Sequence, residues 1–409
     1  MSVNEGAAKQ RARSCRVDTG VVARRAPMLV AVLAGVSLLG ACQIVPRTAP
    51  APPPPPPRPI DTAPQEGVLP SDNQRHRIAL LVPMSGPNAA TGEAIANATT
   101  MALLDTNAQN LRITTYDTAA GAGQAAAHAV ADGNKLILGP LLSDDVIAVA
   151  SVARPARVPM ITYSNDTGVA SHDVFVLGTA PSQSVGRVVS FARASGVKRI
   201  AGLIPAGVFG QRASAALVGT AREEGIAVAA VETYDRSNTS IGGAVRRLTQ
   251  SAEFDAVLIA DGPRLSIQAA PLVGDGHRIL GTELWAGDMT LTRSASLRGA
   301  WFAALSDARF PRFSVTYKTR FGAAPPRIAT LGYDSVLLTI NVARNWRPGT
   351  VFPTAKLYDK GGFIGLDGVF RFRPNGVADR AMEVREVGAG TVKVVSPRTG
   401  ALRRLVVRF

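Results

Sequence analysis

From Arg77 onward the chain alternates short, continuously apolar runs with longer helical stretches, and that alternation leaves few folds open. "RIALLVP" (77–83) precedes "GEAIANATTMALLD", "LRITTYD" (111–117) precedes "GAGQAAAHAVAD", and "KLILGP" (135–140) precedes "SDDVIAVASVA". "VPMIT" (158–162) and "DVFVLG" (173–178) follow. A strand that is apolar on both faces must be covered on both, which is what helices on either side of a parallel sheet do. The pattern then restarts, with "SQSVGRVVSFARASG" before "KRIAGLIP" (198–205), "GQRASAALVGTAREEG" before "IAVAAVETYD", and "IGGAVRRLTQS" before "FDAVLIAD" (254–261). "HRILGTEL" (277–284) reads as the return crossing. The expected fold class is α/β with two lobes, each a parallel sheet flanked by helices.

What precedes this body has a different character. A basic region ending in Arg24 and Arg25 leads into "APMLVAVLAGVSLLGAC", an apolar run too short for a comfortable membrane span that ends in small residues before Cys42. It reads as an export signal, and "LGAC" (39–42) resembles a lipobox, in which Cys42 carries the lipid; Gln43 in place of Asp points to an outer-membrane destination. The next stretch, "CQIVPRTAPAPPPPPPRPIDTAPQEGVLPSDNQ", contains six consecutive prolines, which impose an extended, donor-poor backbone and so a tether. With Cys42 acylated and Cys15 in the leader, no disulfide is available and the exported domain must rest on its core.

The tail changes again: after "PRIATLGYDSVLLTINVAR", Gly-rich and Asn-Gly turns link short strands in "GGFIGLDGVFRFRPNGVADRAMEVREV" and "TVKVVSPRTGALRRLVVRF". The expected division is signal 1–41, tether 42–75, first lobe 76–178, second lobe 179–280, return to the first lobe 281–345, and hinge with second-lobe edge 346–409.

The formal charge of +15 includes +4 from the leader, leaving about +11 for the rest. Export argues against nucleic acid as partner, and no Lys/Arg stripe interleaved with aromatics is present. The four histidines, His76, His128, His172 and His277, share no motif with a nucleophile, and no HExxH, CxxC, GxSxG or GxxxxGK[ST] occurs. The loop "PMSGP" after the first strand lacks the glycines of a dinucleotide fingerprint. Neither metal nor cofactor is expected, and the chain reads as non-enzymatic. Asp144 and Asp145 are adjacent, about 100° apart on a helix, so they suit the helix dipole better than a shared proton, with Ser143 as the cap.

"VPMSGPNAATGEAIANATTMAL", "LGPLLSDDVIAVASVARPARVPMITYSND" and "GLIPAGVFGQRASAAL" together resemble the type I periplasmic binding proteins of the leucine/isoleucine/valine-binding branch. The resemblance implies a hinge between the lobes and a small amino-acid-like ligand in the cleft. It places Ser85 in the first cleft loop, and Ser143, Ser164 and Asn165 in the loops that receive a ligand carboxylate. Helix N-termini with hydroxyls can do this without a basic side chain. The alternative reading of Ser143 and Ser164 is that they are caps or turn residues only. It further implies Phe209 over the ligand, where a tyrosine is common, and Asp261 near an ammonium group, with Tyr163 and Glu283 as weaker cleft candidates.

The lipobox-like anchor and proline stalk also resemble the lipoprotein activators of penicillin-binding proteins. That resemblance implies an outer-membrane lipoprotein, anchored by its lipid and facing the periplasm, with a peptidoglycan synthase or peptidoglycan as partner. It is the leading expectation. The alternative is an amino-acid receptor of an ABC importer.

Overall fold

The computed structural model describes residues 74–236 and 240–397, with only the backbone of Ser240 included. The leader, Cys42 and almost all of the proline tether lie outside the described residues.

The first lobe is built on a five-stranded parallel sheet in the order β2-β1-β3-β4-β5. Its strands are β1 (His76–Val82), β2 (Leu111–Asp117), β3 (Leu136–Leu138), β4 (Met160–Thr162) and β5 (Val174–Val176). Helices α1 (Ala89–Thr106), α2 (Ala122–Ala131) and α3 (Ser143–Ala153) connect them. The unbroken apolar runs are explained by which core each side chain enters. Ile78, Leu80 and Val82 of β1 join one buried cluster together with Leu136 and Leu138. Ala79 and Leu81 join another beneath α2 and α3, with Ile137 and Met160. Each such leucine or isoleucine removed from water contributes about 1.5–3 kcal/mol.

The second lobe follows with α4 (Pro181–Ala194), β6 (Arg199–Pro205), α5 (Val208–Glu224) and β7 (Ala227–Tyr234). It continues through α6 (Ser240–Ser251), β8 (Ala256–Ile259), α7 (Pro263–Val273), β9 (Arg278–Gly281) and β10 (Trp301–Ala304). Later come α8 (Phe310–Phe321), α9 (Thr330–Ala343), β11 (Phe363–Gly365), β12 (Gly368–Phe372), β13 (Ala378–Arg380), β14 (Glu383–Val387) and β15 (Val392–Ser396). The second sheet has the order β15-β14-β10-β9-β8-β6-β7, parallel from β7 to β10 and antiparallel at the last two strands.

Two boundaries differ from the sequence expectation. The chain returns to the first lobe between Leu305 and α8, not at 281, because β9 pairs with β10 and buries Phe302 and Ala304 in the second-lobe core. The tail also divides: β14 and β15 extend the second sheet, while β11, β12 and β13 form a small antiparallel sheet on the first lobe. Phe363, Phe370 and Phe372 need cover and find it in the first-lobe core, Phe372 meeting Phe175 of β5 edge-on at 5.5 Å.

The two lobes solve one local problem in the same way. Each first strand runs into a proline, Pro83 just after β1 and Pro205 at the end of β6, and the next helix packs a glycine onto that proline's carbonyl. A Cβ would lie 1.8 Å from Pro83 O at Gly92 and 1.7 Å from Pro205 O at Gly210. Both loops face the space between the lobes, so these glycines set how closely each helix approaches its cleft loop. Gly92→Ala and Gly210→Ala are each expected to cost about 1–3 kcal/mol by forcing helix and strand apart. Urea titration should show a lower midpoint with an unchanged slope.

Candidate functional site

In open α/β sheets the ligand crevice lies at the carboxyl ends of the strands. Here the first lobe contributes the loops after β1, β2, β3 and β4, and the second lobe those after β6, β7, β8 and β9. One side chain demonstrates that the two sets face each other. Arg212 of α5 donates from Nη1 to Asn165 Oδ1 at 3.0 Å and meets Asp166 Oδ2 at 2.5 Å through Nη2. Asn165 thus sits where the two sets of loops meet, held by Arg212, a residue the sequence reading did not single out.

On the first lobe, Ser85 donates its hydroxyl to Asp117 Oδ2 at 2.8 Å, and Met84 and Ala119 donate their N–H groups to Asp117 Oδ1. The Ala119 and Met84 N–H donors, with Ser85, hold the Asp117 carboxyl below the usual carboxylate range. Ser85 thus ties the loop after β1 to the end of β2. Ser143 is the first residue of α3, and the cap is Leu142, so the capping role expected for Ser143 is not seen. Its half-buried hydroxyl bonds to no other described residue and stands at the helix N-terminus. Asp144 and Asp145 occupy the first turn as expected, and burial, then the neighbouring Asp144, raises the Asp145 carboxyl.

Two expected contacts belong to the scaffold instead. Tyr163 is buried in the first-lobe core, with its hydroxyl 2.9 Å from that of Ser335 on α9, and burial raises the phenol. Ser164 is also buried, and its hydroxyl accepts the Asp166 N–H at 3.1 Å, closing the turn after β4.

On the second lobe, Phe209 is partly buried and carries the Arg236 guanidinium over its ring at 5.5 Å. Asp261 is buried and fully engaged. Its Oδ2 accepts from Tyr234 at 2.7 Å and from Arg236 Nε at 2.9 Å, and its Oδ1 accepts the Gly262 N–H. It is not an open seat for an ammonium group. Arg236 was legible only as a base beyond a strand; what it does follows from β7 lying beside β6. Glu283, after β9, is the contrasting acid. It accepts from the Ser184 hydroxyl, no cation among the described residues pairs with it, and burial pushes its carboxyl up.

The lobes are joined by three crossings, at 177–181, 305–310 and 380–383, and buried guanidinium groups stitch them together. Arg380 donates twice to Leu177 O, at 2.7 and 3.1 Å. Arg385 donates to Leu305 O at 2.6 Å and pairs with Asp307, which also pairs with Arg327; Arg327 in turn meets Asp367 at 2.8 Å. Beside them Asp334 of α9 is fully buried, accepting the Leu366 N–H at 2.6 Å through Oδ1 and leaving Oδ2 without a partner. Burial, and then the Asp367 charge, raise its carboxyl to about 7.

No group of three or more His, Cys, Asp or Glu among the described residues could hold a metal ion. None of their helices is long and apolar enough to cross a membrane.

Two measurements check these placements. Tyr163→Phe should lose about 0.5–1.5 kcal/mol of stability with its hydrogen bond and leave ligand affinity unchanged by calorimetry. Asp334 binds its proton more tightly folded than unfolded, so its contribution to stability falls as pH rises from about 4 to about 7 and is lost above that. Denaturation midpoints across that window should decline for the natural chain and decline less for Asp334→Asn.

The family profile described as "Periplasmic binding protein" matches residues 76–391. An uncharacterized protein of Rickettsia prowazekii is 28% identical over 179 residues, 43% of this chain; the chain spans about half the length of that curated relative. The leucine-binding protein LivK of Thermotoga maritima is 21% identical, with a TM-score of 0.60 over 79% of this chain and 98% of that one. A solute-binding protein of an ABC transporter from Rhodopseudomonas palustris, in complex with 3,4-dihydroxybenzoic acid, is 20% identical, with a TM-score of 0.63 over 80% and 98%. These matches carry the type I, two-lobed fold of the solute receptors. They overturn the expectation of a penicillin-binding protein activator and of its peptidoglycan synthase or peptidoglycan partner; the lipid anchor and outer-membrane placement expected from Cys42 and Gln43 lie outside the described residues.

Proposed function

We propose, because the chain belongs to the periplasmic binding protein family, that it is the solute-binding component of an ABC-type importer, taking a small amino-acid-like molecule into its interlobe cleft in the periplasm. Support comes from how unevenly the two second-lobe acids are satisfied. Asp261 already has Arg236, Tyr234 and Gly262 around it, whereas Glu283 has the Ser184 hydroxyl and its own backbone N–H as donors and no cation among the described residues. That one partly buried carboxyl without a cationic partner among the described residues carries the reading, since a ligand ammonium supplies the missing charge.

Across the cleft, Ser143 offers a hydroxyl at the start of α3, where helix N–H groups favour a carboxylate. Phe209 contributes an apolar wall. The proposed lobe assignment makes closure a rotation about the three crossings, with Arg212 and Asp166 meeting as the cleft shuts. The transporter's membrane components are the implied partners.

Calorimetric titration with leucine, isoleucine, valine and other free amino acids tests this. Binding at about micromolar Kd or tighter is expected for at least one of them. Glu283→Gln should weaken it roughly tenfold or more through loss of a charge-assisted contact. Because burial raises the Glu283 carboxyl, affinity should also fall as pH is lowered into its titration range, and the Gln variant should lack that dependence. No binding across the panel would overturn the proposal.

A further inference from the structure

Beside the hinge, α4 and α5 face the small sheet across a cavity of about 460 Å³ that no cleft residue lines. Its charge is poorly balanced. Arg380, only 5% exposed, lies over the Phe370 ring and gives Nε and Nη2 to the Leu177 carbonyl; no carboxylate among the described residues is in ion-pair contact with it, and Asp334 feels its charge only at longer range. Arg187 of α4 is similar. It donates to Met382 O at 3.3 Å, Ser396 Oγ at 2.5 Å and Pro397 O at 3.3 Å, all neutral acceptors, and burial lowers its pKa with no acid to raise it.

Of the two acids on the cavity wall, Asp379 is taken by Arg371 and Arg373, and Glu223 is exposed on α5. Two half-used guanidinium groups therefore line one cavity. Each has five N–H donors in a fork suited to carboxylate oxygens, and the Nη1 donors of both meet no described acceptor.

A third group narrows the chemistry. Gln183 is fixed by donating Nε2 to Ala378 O at 2.6 Å, and its Oε1 is buried without a partner. Buried acceptors are rarely left unpaired, so this oxygen calls for a donor. An anion alone would not satisfy it, but an anion that also carries a hydroxyl would.

We propose that this cavity is a second ligand site, separate from the cleft, for a small hydroxylated carboxylate anion bound by Arg187 and Arg380 with its hydroxyl on Gln183. The volume suits a molecule of that size. Its walls come from both lobes, α4 and α5 from the second and β12 to β13 from the first, so a ligand here would bridge them.

The test is calorimetric titration of the full chain with citrate, against chloride at matched ionic strength. One saturable citrate site is expected. Tricarballylate, which lacks the hydroxyl, should bind more weakly, and Gln183→Met should erase that preference. Arg187→Met should weaken citrate at least tenfold, and Arg187→Lys, which keeps the charge but not the fork, should fall between. Should Arg187→Met not fold by circular dichroism, the Gln183→Met comparison decides. Absence of saturable citrate binding, or equal affinity in natural and folded Arg187→Met chains, would overturn the site. Leucine titrated into the same samples reports the cleft separately, so failure at one site is distinguishable from failure at the other.

Discussion

Everything the molecule can do between its lobes depends on how three crossings are held together, and buried arginine does most of the holding. Arg380 fastens the first crossing to the third through Leu177 O, and Arg385 fastens the third to the second through Leu305 O and Asp307. Arg327 extends the chain of ion pairs from Asp307 to Asp367 in the first lobe. Charges buried this deeply are costly unless every partner is present, so breaking one contact would leave another group uncompensated.

Asp334 marks where this network stops being balanced. It shares its surroundings with Asp367, but Asp367 is occupied by Arg327 and Thr330, whereas Asp334 has backbone N–H donors alone and no ion pair among the described residues. Two carboxyl groups in a desolvated space cannot both be comfortable as anions, and the less well-paired one takes the proton. The hinge thus stores its electrostatic compromise in α9, away from the loops that line the cleft.

Much of the architecture was legible because it rests on local patterns. The continuous apolar runs require cover on both faces, and the alternation of Ile78, Leu80 and Val82 against Ala79 and Leu81 between two cores is the physical content of that signal. The restart of the pattern gave the second lobe. What could not be read were pairings between residues far apart in sequence: Leu177 with Arg380, Asp307 with Arg385, Arg212 with Asp166. Tyr163 illustrates the same limit. It follows a strand end and so looked like a cleft residue, yet its partner Ser335 lies on a helix that returns much later in the chain. The placement of β10 and of the small sheet escaped for the same reason, since their partners are set by tertiary packing and not by any nearby motif.

The proposed binding chemistry turns on an asymmetry between two neighbouring strands. Asp261 follows β8, which is next to β6 and one strand removed from β7, so Arg236 and Tyr234 reach it from the end of β7. Glu283 follows β9, on the far side of β8 from those partners, and the start of α4 gives it only the Ser184 hydroxyl. Strand order alone therefore decides which acid is neutralised within the fold and which is left to be neutralised from outside. An acid neutralised internally helps to fix the cleft wall and to hold Arg236 over Phe209, whereas an acid left bare raises the free energy of the empty cleft and lowers it again when a cation enters.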